Sequence, residues 1–317
     1  MNTKKIVTYL SIPVVLIGIG LIVWSSSTDK AKVESVDNKN TTEDAGESTK
    51  VEITAETKAV ERDPDNAMDW NQLGSQFLRT GELDKAEEAF RKVLALAEAH
   101  QDKKDQALAY GNLGIVYQIR GELDKAEDMH RKALEFDEDL GNKEGMAGDY
   151  GSLGNVYSKR GDLDKAEGMF RKALAIHEEL GQQQGIAADY GNLGILHYMH
   201  GELDKAEEMH KKALQISESL GLKEKIANQC GNLGIIYVSR NDLYHAEQMF
   251  RKALAIDKTL GRREDMAKQY TNLGLVYAER GNFKQAEVAW KKSLSLYQTM
   301  RHPGAEKVQQ LLDEFAR

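Results

Sequence analysis

The sequence predicts an all-α solenoid, a row of six helix-turn-helix units with a short capping helix at its C-terminal end and one apolar helix ahead of it. Three observations predict this. A block of about twenty residues returns every 40 residues, beginning at Trp70, Tyr110, Tyr150, Tyr190, Cys230 and Tyr270. The composition is that of a helical protein, with only 3 prolines in 317 residues and Ala, Leu, Glu and Lys dominant; these side chains lose little rotamer freedom in a helix. Finally, Ile6 to Trp24 (IVTYLSIPVVLIGIGLIVW) carries no charge and is long enough to cross a bilayer as a helix.

Residues 1–5 include Lys4 and Lys5, a basic flank that favours a cytoplasmic N-terminus for a transmembrane signal anchor at 6–24. The array is then expected on the extracytoplasmic side, periplasmic in a bacterium. Lys30 and Lys32, beyond the span, reduce the charge asymmetry that sets this orientation. The alternative is a cleaved signal peptide and a secreted protein. Val23 and Ser25 suit a cleavage site, but the apolar run exceeds the about 7–15 residues of a signal core. Residues 25–50 lack aromatic side chains and are poor in apolar ones, so they cannot bury enough surface to offset ordering entropy; they are expected to be a disordered tether. Residues 51–65 are expected to hold an N-capping helix.

The array is expected over 66–302, in units of about 66–104, 105–144, 145–184, 185–224, 225–264 and 265–302. Within a unit, Tyr110, Leu113, Gly114 and Tyr117 recur at the spacing of one helix face. Gly121 interrupts the pattern where a turn is needed. A second stripe follows through Leu123, Ala126, Met129, His130, Ala133 and Leu134. Glu122 and Asp124 stand at its start, where the helix dipole favours negative charge. Glu127–Arg131 and Asp128–Lys132 are acid-first i,i+4 pairs expected on an exposed face. Gly141 suits a left-handed cap. Two glycines interrupt each first helix. Gly114 has equivalents at Gly74, Gly154, Gly194, Gly234 and Gly274, which argues for close approach of the paired helix. After Pro303, Val308, Leu311, Leu312 and Phe315 share one face, as an end cap over residues 303–317 requires.

These residues resemble the tetratricopeptide-repeat family, whose signature in the third unit is Tyr150, Leu153-Gly154, Tyr157, Gly161, Ala166, Phe170 and Ala173. The resemblance covers roughly residues 66–300. The family's usual unit is 34 residues and closes with proline; here the units are longer and five closures lack Pro. They look like the repeats of spindle-orientation adaptors and, more loosely, kinesin light chains. Pro64 sits where a preceding unit would close. The resemblance implies a right-handed superhelix whose first helices line a concave groove for a peptide or a partner helix.

On or near that inner face fall Asn71, Asn112, Asn155, Asn192, Asn232 and Asn272. An amide there either hydrogen-bonds a bound backbone or is satisfied locally. Gly111, Gly151, Gly191 and Gly231 either admit a ligand closely or relieve packing. Specificity is expected where neighbouring columns vary: Tyr198 and Met199, with Ile195 and Ile235, form an apolar stretch. A groove that clamps C-terminal carboxylates is not expected, since Gly111 and Gly148 stand where the family places lysines.

The net charge of -8, with no long Lys/Arg block, excludes a sequence-independent grip on nucleic acid. The single cysteine, Cys230, excludes an intramolecular disulfide and cysteine metal cages; it replaces a packed tyrosine and is expected to be inert. No cysteine follows the apolar run, which excludes lipoprotein processing. His197 and His200 are spaced for a shared metal, yet His197 replaces Tyr117, Tyr157, Tyr237 and Tyr277, and His130 and His210 replace Phe170 and Phe250; all three are read as core. The Gly-Glu-Leu-Asp motif lacks the alternating oxygens of a calcium loop. No catalytic set, cofactor site or metal site is expected. The chain reads as a non-enzymatic, membrane-anchored scaffold for protein or peptide partners. The competing reading is a homo-oligomeric structural component of a membrane complex.

Overall fold

A computed structural model describes residues 56–315, and among these every regular element is a helix. In chain order they are α1 (56–62), α2 (Ala67–Thr80), α3 (Leu83–His100), α4 (Lys103–Arg120), α5 (Leu123–Leu140), α6 (Lys143–Arg160), α7 (Leu163–Glu179), α8 (Gln183–Met199), α9 (Leu203–Ser219), α10 (Lys223–Ser239), α11 (Leu243–Leu260), α12 (Arg263–Glu279), α13 (Phe283–Thr299) and α14 (Gly304–Phe315). They pack in consecutive pairs, first helix on second within each repeat. The expected anchor at 6–24 and tether at 25–50 lie outside the described residues. No described helix is long and apolar enough to cross a membrane. Of the expected N-terminal cap, only 56–62 is described as helix; Val60 is buried and Gln76 Nε2 donates to Glu56 Oε1 at 3.2 Å.

The boundaries follow from local chemistry. Leucine opens five of the six second helices, directly after the Glu or Asp that follows the turn; Phe283 opens the sixth. Gly121 ends α4 at φ 78, and its N–H reaches back to Gln118 O, closing the last turn in a conformation that costs a side chain strain. Gly141 ends α5 in the same way, at φ 65. At the other ends, Asp102 accepts from the Lys104 and Asp105 amides at 2.9 and 3.0 Å, satisfying two of the orphan donors of α4.

The chain divides after Leu180 into two compact units. In the unit ending at Leu180, Phe90, Leu113, Val116, Tyr117, Ala126 and Val156 form the core. In the unit beginning at Gly181, the larger core runs through Phe250, Leu273, Val276, Trp290 and Tyr297 to Val308 and Leu311 of α14. Phe315 completes it, with its ring centroid 4.7 Å from Trp290 and 5.8 Å from Phe283. The four apolar positions read from the sequence of α14 all take part: Val308 and Leu311 are buried, and Leu312 and Phe315 pack against the cluster.

The glycine of each first helix lies against the large ring of its own second helix. A Cβ at Gly154 would fall 2.5 Å from Phe170 Cε1, and one at Gly234 would fall 2.5 Å from Phe250 Cε1. Gly74 meets Phe90, and Gly274 meets Trp290, in the same way. In two repeats the ring is imidazole: Gly114 meets His130 and Gly194 meets His210, each histidine 1% exposed. The histidines read as core are core. Burial pushes both imidazoles down to about 4, so they are neutral at physiological pH. His210 Nδ1 lies 2.7 Å from Gln229 Oε1, whereas His130 has only Asp149 Oδ1, at 3.9 Å.

Candidate partner-binding groove

Within each compact unit, the first helices of successive repeats meet along one face, where side chains of one helix touch those of the next. In the unit up to Leu180, Asn112 Nδ2 donates to Asn71 Oδ1 at 2.8 Å, from α4 to α2, and Lys159 Nζ donates to Gln118 O at 3.0 Å, from α6 to α4. Burial lowers the pKa of Lys159. Its Nζ caps one of the C-terminal carbonyls of α4, that of Gln118. In the unit from Gly181, Tyr198 Oη and Ser239 Oγ lie 3.0 Å apart, from α8 to α10. Ser239 Oγ also donates to Ile235 O.

The six asparagines do not form one column. Asn112, Asn192, Asn232 and Asn272 stand two residues after Tyr110, Tyr190, Cys230 and Tyr270; Asn71 stands one residue after Trp70, and Asn155 five after Tyr150. Gln72 and Ser152 hold the equivalent places in their repeats. All six amides are half-buried, and the Asn71–Asn112 pair is satisfied within the chain. Ile195, Tyr198 and Ile235 are half-buried, and Met199 is 40% exposed. Ile195 and Tyr198 stand on α8 and Ile235 on α10, where Ile235 also packs against the core cluster. Two further aliphatic side chains, Ile115 on α4 and Leu275 on α12, stand at the same register as Ile195 and Ile235 and are also half-buried.

The glycines of this face divide. Gly191 is covered by its neighbour: a Cβ there would lie 3.0 Å from Gln229 Nε2, and one at Gly231 would lie 3.3 Å from Gln269 Nε2. Packing explains both. Gly111 has only Asp149 Oδ1 at 3.9 Å from its would-be Cβ, so packing does not require a glycine there.

A second repeated contact escaped the reading of the sequence. Glu127 was expected on an exposed face; its side chain is only 17% exposed, because it lies between repeats. Tyr157 of the next repeat donates to Glu127 at 2.7 Å, Arg160 forks onto Glu127 and Asp124, and Arg131 completes the set. Tyr117, Arg120 and Arg91 surround Glu87 in the same way. Burial opposes ionisation of Glu87, but the hydrogen bonds from Tyr117, Arg120 and Arg91 outweigh it and hold the carboxyl at about 2. The signal was present: a Glu recurs at 87, 127, 167, 207, 247 and 287, with Arg at 120, 160, 240 and 280.

Among the described residues, no group of three or more His, Cys, Asp or Glu could hold a metal ion. His197 is 2% exposed, with Nδ1 2.7 Å from Glu202 Oε2, and so is anchored in the packing. Cys230 is fully buried, and burial pushes its thiol up to about 11.

Residues 67–218 match a family model described as the MalT-like TPR region, and 226–263 and 266–300 match the tetratricopeptide repeat model. No curated protein matches the chain. Among solved structures, BtubC (BKLC) from P. vanneervenii is similar at 26% identity and a TM-score of 0.62, over 70% of this chain and 94% of that one. A signal transduction ATPase with a tetratricopeptide repeat sensor from Pyrococcus horikoshii is similar at 17% identity and a TM-score of 0.70, over 82% of this chain but only 40% of that one. The apo form of RapI is similar at 16% identity and a TM-score of 0.58, over 74% and 98%. The last two likenesses show the fold alone. Two repeat models that together run from α2 to α13, on a framework of paired helices with a glycine against each ring, place the chain in the tetratricopeptide-repeat family.

Proposed function

We propose that the chain is a membrane-anchored scaffold that binds peptide or helical segments of partner proteins along the inner face of its first helices. The observation that carries this reading is the column Ile195, Ile235 and Leu275, with Tyr198 and Met199 beside it. The framework around these positions repeats nearly unchanged, whereas the column of Tyr198 reads Leu78, Gln118, Ser158, Val238 and Ala278 elsewhere. Side chains free to vary on a constant frame are those the fold does not need, and partly exposed aliphatic and aromatic groups are what a bound segment would cover. Asn192, Asn232 and Asn272 flank the column and can supply amide donors and acceptors to an extended backbone. Anchoring rests on the uncharged run 6–24, and the extracytoplasmic placement of the repeats on Lys4 and Lys5 before it.

A photo-crosslinker at position 198 of the full chain in native membranes tests the groove, with position 208, on the outer face of α9, as control. A protein trapped from 198 and not from 208 supports the reading. Trapping of the same chain from both positions replaces it with self-assembly, and trapping of nothing removes it. Membrane sedimentation of the full chain against a version starting at residue 51 tests the anchor, which fails if both stay in the supernatant. Protease accessibility in intact and opened cells tests the side.

A further inference from the structure

Repeat five departs from the framework at one exposed turn. Elsewhere the arginine near the end of a first helix forks onto two carboxylates of the preceding repeat. Arg120 pairs with Glu87 and, at 2.6 Å, with Asp84; Arg160 pairs with Glu127 and, at 2.6 Å, with Asp124; Arg240 pairs with Glu207, at 2.6 Å, and with Asp204. The three aspartates sit on the first turn of a second helix, at least 99% exposed, so the outer arm of each fork lies open to solvent. Arg280 occupies the same place and keeps its inner carboxylate, Glu247. Its outer one is gone: Tyr244 stands where the aspartate should be, and among the described residues Arg280 pairs with Glu247 alone.

The neighbours changed with it. Lys85, Lys125 and Lys165 each lie over the ring of their own first helix, 5.2 to 5.5 Å from its centroid. His245 replaces that lysine, with its ring 5.4 Å from Tyr237 and 5.3 Å from Tyr244, and with Nδ1 2.6 Å from Asp242 Oδ2. Asn241 replaces the turn glycine at φ 59. Tyr244 itself is 61% exposed. The fold gains little from any of this, since an aromatic ring left mostly in water adds little burial and an exposed ion pair is worth at most about 1 kcal/mol. What the changes create is a guanidinium arm framed for a carboxylate, beside an open phenol ring. Arginine and tyrosine are the residues that concentrate binding energy at protein interfaces.

We infer that this turn is a docking site for an acidic segment of a partner protein. An Asp or Glu of that segment takes the place that Asp84, Asp124 and Asp204 fill inside the chain, and a flanking residue covers Tyr244. The two carboxylates already present do not compete: Asp242 is engaged by His245, and Glu247 by Arg251 and Arg280. The site is formed by the turn between α10 and α11 together with Arg280 at the end of α12, and it does not depend on the groove reading.

The test uses the full chain and a fluorescein-labelled tetra-aspartate amide, read by fluorescence polarisation at low ionic strength, with tetra-asparagine and tetra-lysine peptides carrying the same dye. The wild-type chain binds the acidic peptide saturably and neither control. Tyr244→Asp supplies the missing carboxylate from within, and Arg280→Gln removes the arm; each weakens binding by about threefold to fivefold, or up to about 1 kcal/mol. Tyr198→Ala leaves it unchanged. Tyr244→Asp restores the framework residue, so its melting temperature is expected at or above that of the wild type, which separates loss of the site from loss of the fold. Undiminished binding to Tyr244→Asp, equal binding of tetra-asparagine, or no saturable binding to the wild-type chain would each overturn the inference.

Discussion

Replacing Gly154 by alanine should destabilise the protein, against the ordinary expectation for a glycine inside a helix. Alanine is favoured over glycine in a helix interior by about 1 kcal/mol. At Gly168, in α7, nothing lies within 4 Å of the would-be Cβ, so Gly168→Ala should gain about that amount. At Gly154 the added methyl would fall 2.5 Å from Phe170 Cε1 and 2.6 Å from Cδ1, closer than real Cβ contacts come. Phe170 is 2% exposed and has no space to retreat into. Overpacking of this kind costs about 1–3 kcal/mol. The backbone term is the same in both variants, so it cancels when they are compared, and the difference isolates the clash: Gly154→Ala should be less stable than Gly168→Ala by about 1–3 kcal/mol. Urea denaturation followed by circular dichroism, with both variants in one series, measures it. Adding Phe170→Leu to Gly154→Ala makes room for the methyl and should recover part of the loss. Equal stability of the two alanine variants would refute the claim that this glycine is a packing residue, and with it the account of the same position in the other five repeats.

Further outcomes follow from the buried polar groups. His130→Phe places in the second repeat the residue that Phe90 and Phe170 hold in the first and third. It removes two ring nitrogens that have no hydrogen-bond partner, and should add about 1–3 kcal/mol at neutral pH in a melting experiment. The native His130 has its pKa depressed to about 4, so the unfolded chain binds its proton first; stability present above about 6.5 is lost as pH falls toward 4, and this loss should be smaller in the Phe variant. Asp257 carries the opposite sign. Burial raises it to about 6, so its contribution is complete below the unfolded value and is lost as pH rises through 6; Asp257→Asn should stabilise the protein more at pH 7 than at pH 4. Glu87→Gln should cost about 1 kcal/mol at neutral pH, a penalty that shrinks in acid as the native carboxylate itself is protonated toward pH 2. Native Cys230 should resist thiol reagents until the chain is unfolded, as its raised pKa and complete burial demand; fast labelling of the native protein would contradict both.

The elements that could be read from the sequence are those whose cause is local. The turn at Gly121 and the cap at Gly141 were legible because a left-handed backbone position names its own residue. The start of α5 at Leu123 was legible from Glu122 and Asp124, and the core role of His130 from the Phe that alternates with it. What was not legible lies between repeats. Glu127 satisfies the i,i+4 rule with Arg131, and that rule by itself places it on an outer face; only the partner 30 residues away, Tyr157, shows that the same carboxylate is a joint. Nor could the sequence decide what covers Gly191. That depends on whether the Gln229 side chain lies across it, which it does, whereas the equivalent Gly111 meets the shorter Asp149 and keeps its space. Asn71 and Asn155 share a residue type but not a register with Asn112, Asn192, Asn232 and Asn272, and residue type alone does not fix which neighbour an amide meets.

A repeat protein separates the residues that stack its units from those that meet the outside, and the separation can be traced here position by position. The Gly154–Phe170 contact and the Tyr157–Glu127–Arg160 joint recur because each needs a matching residue in the same or the adjoining unit; a change in one member strands the other. Tyr198 and Met199 are under no such demand, for the partners they touch, such as Ser239, are themselves variable. By this reasoning, a departure inside the joint carries more information than a departure in the groove. A groove residue can change without consequence for the fold, but losing Asp from the fork while keeping its arginine leaves the outer arm unpaired within the chain. Arg280 keeps Glu247 but lacks the outer carboxylate that Asp84, Asp124 and Asp204 supply to the other forks, and Tyr244 in that place is 61% exposed. Glu247 accounts for the arginine itself; a carboxylate supplied from outside would complete the outer arm of its fork.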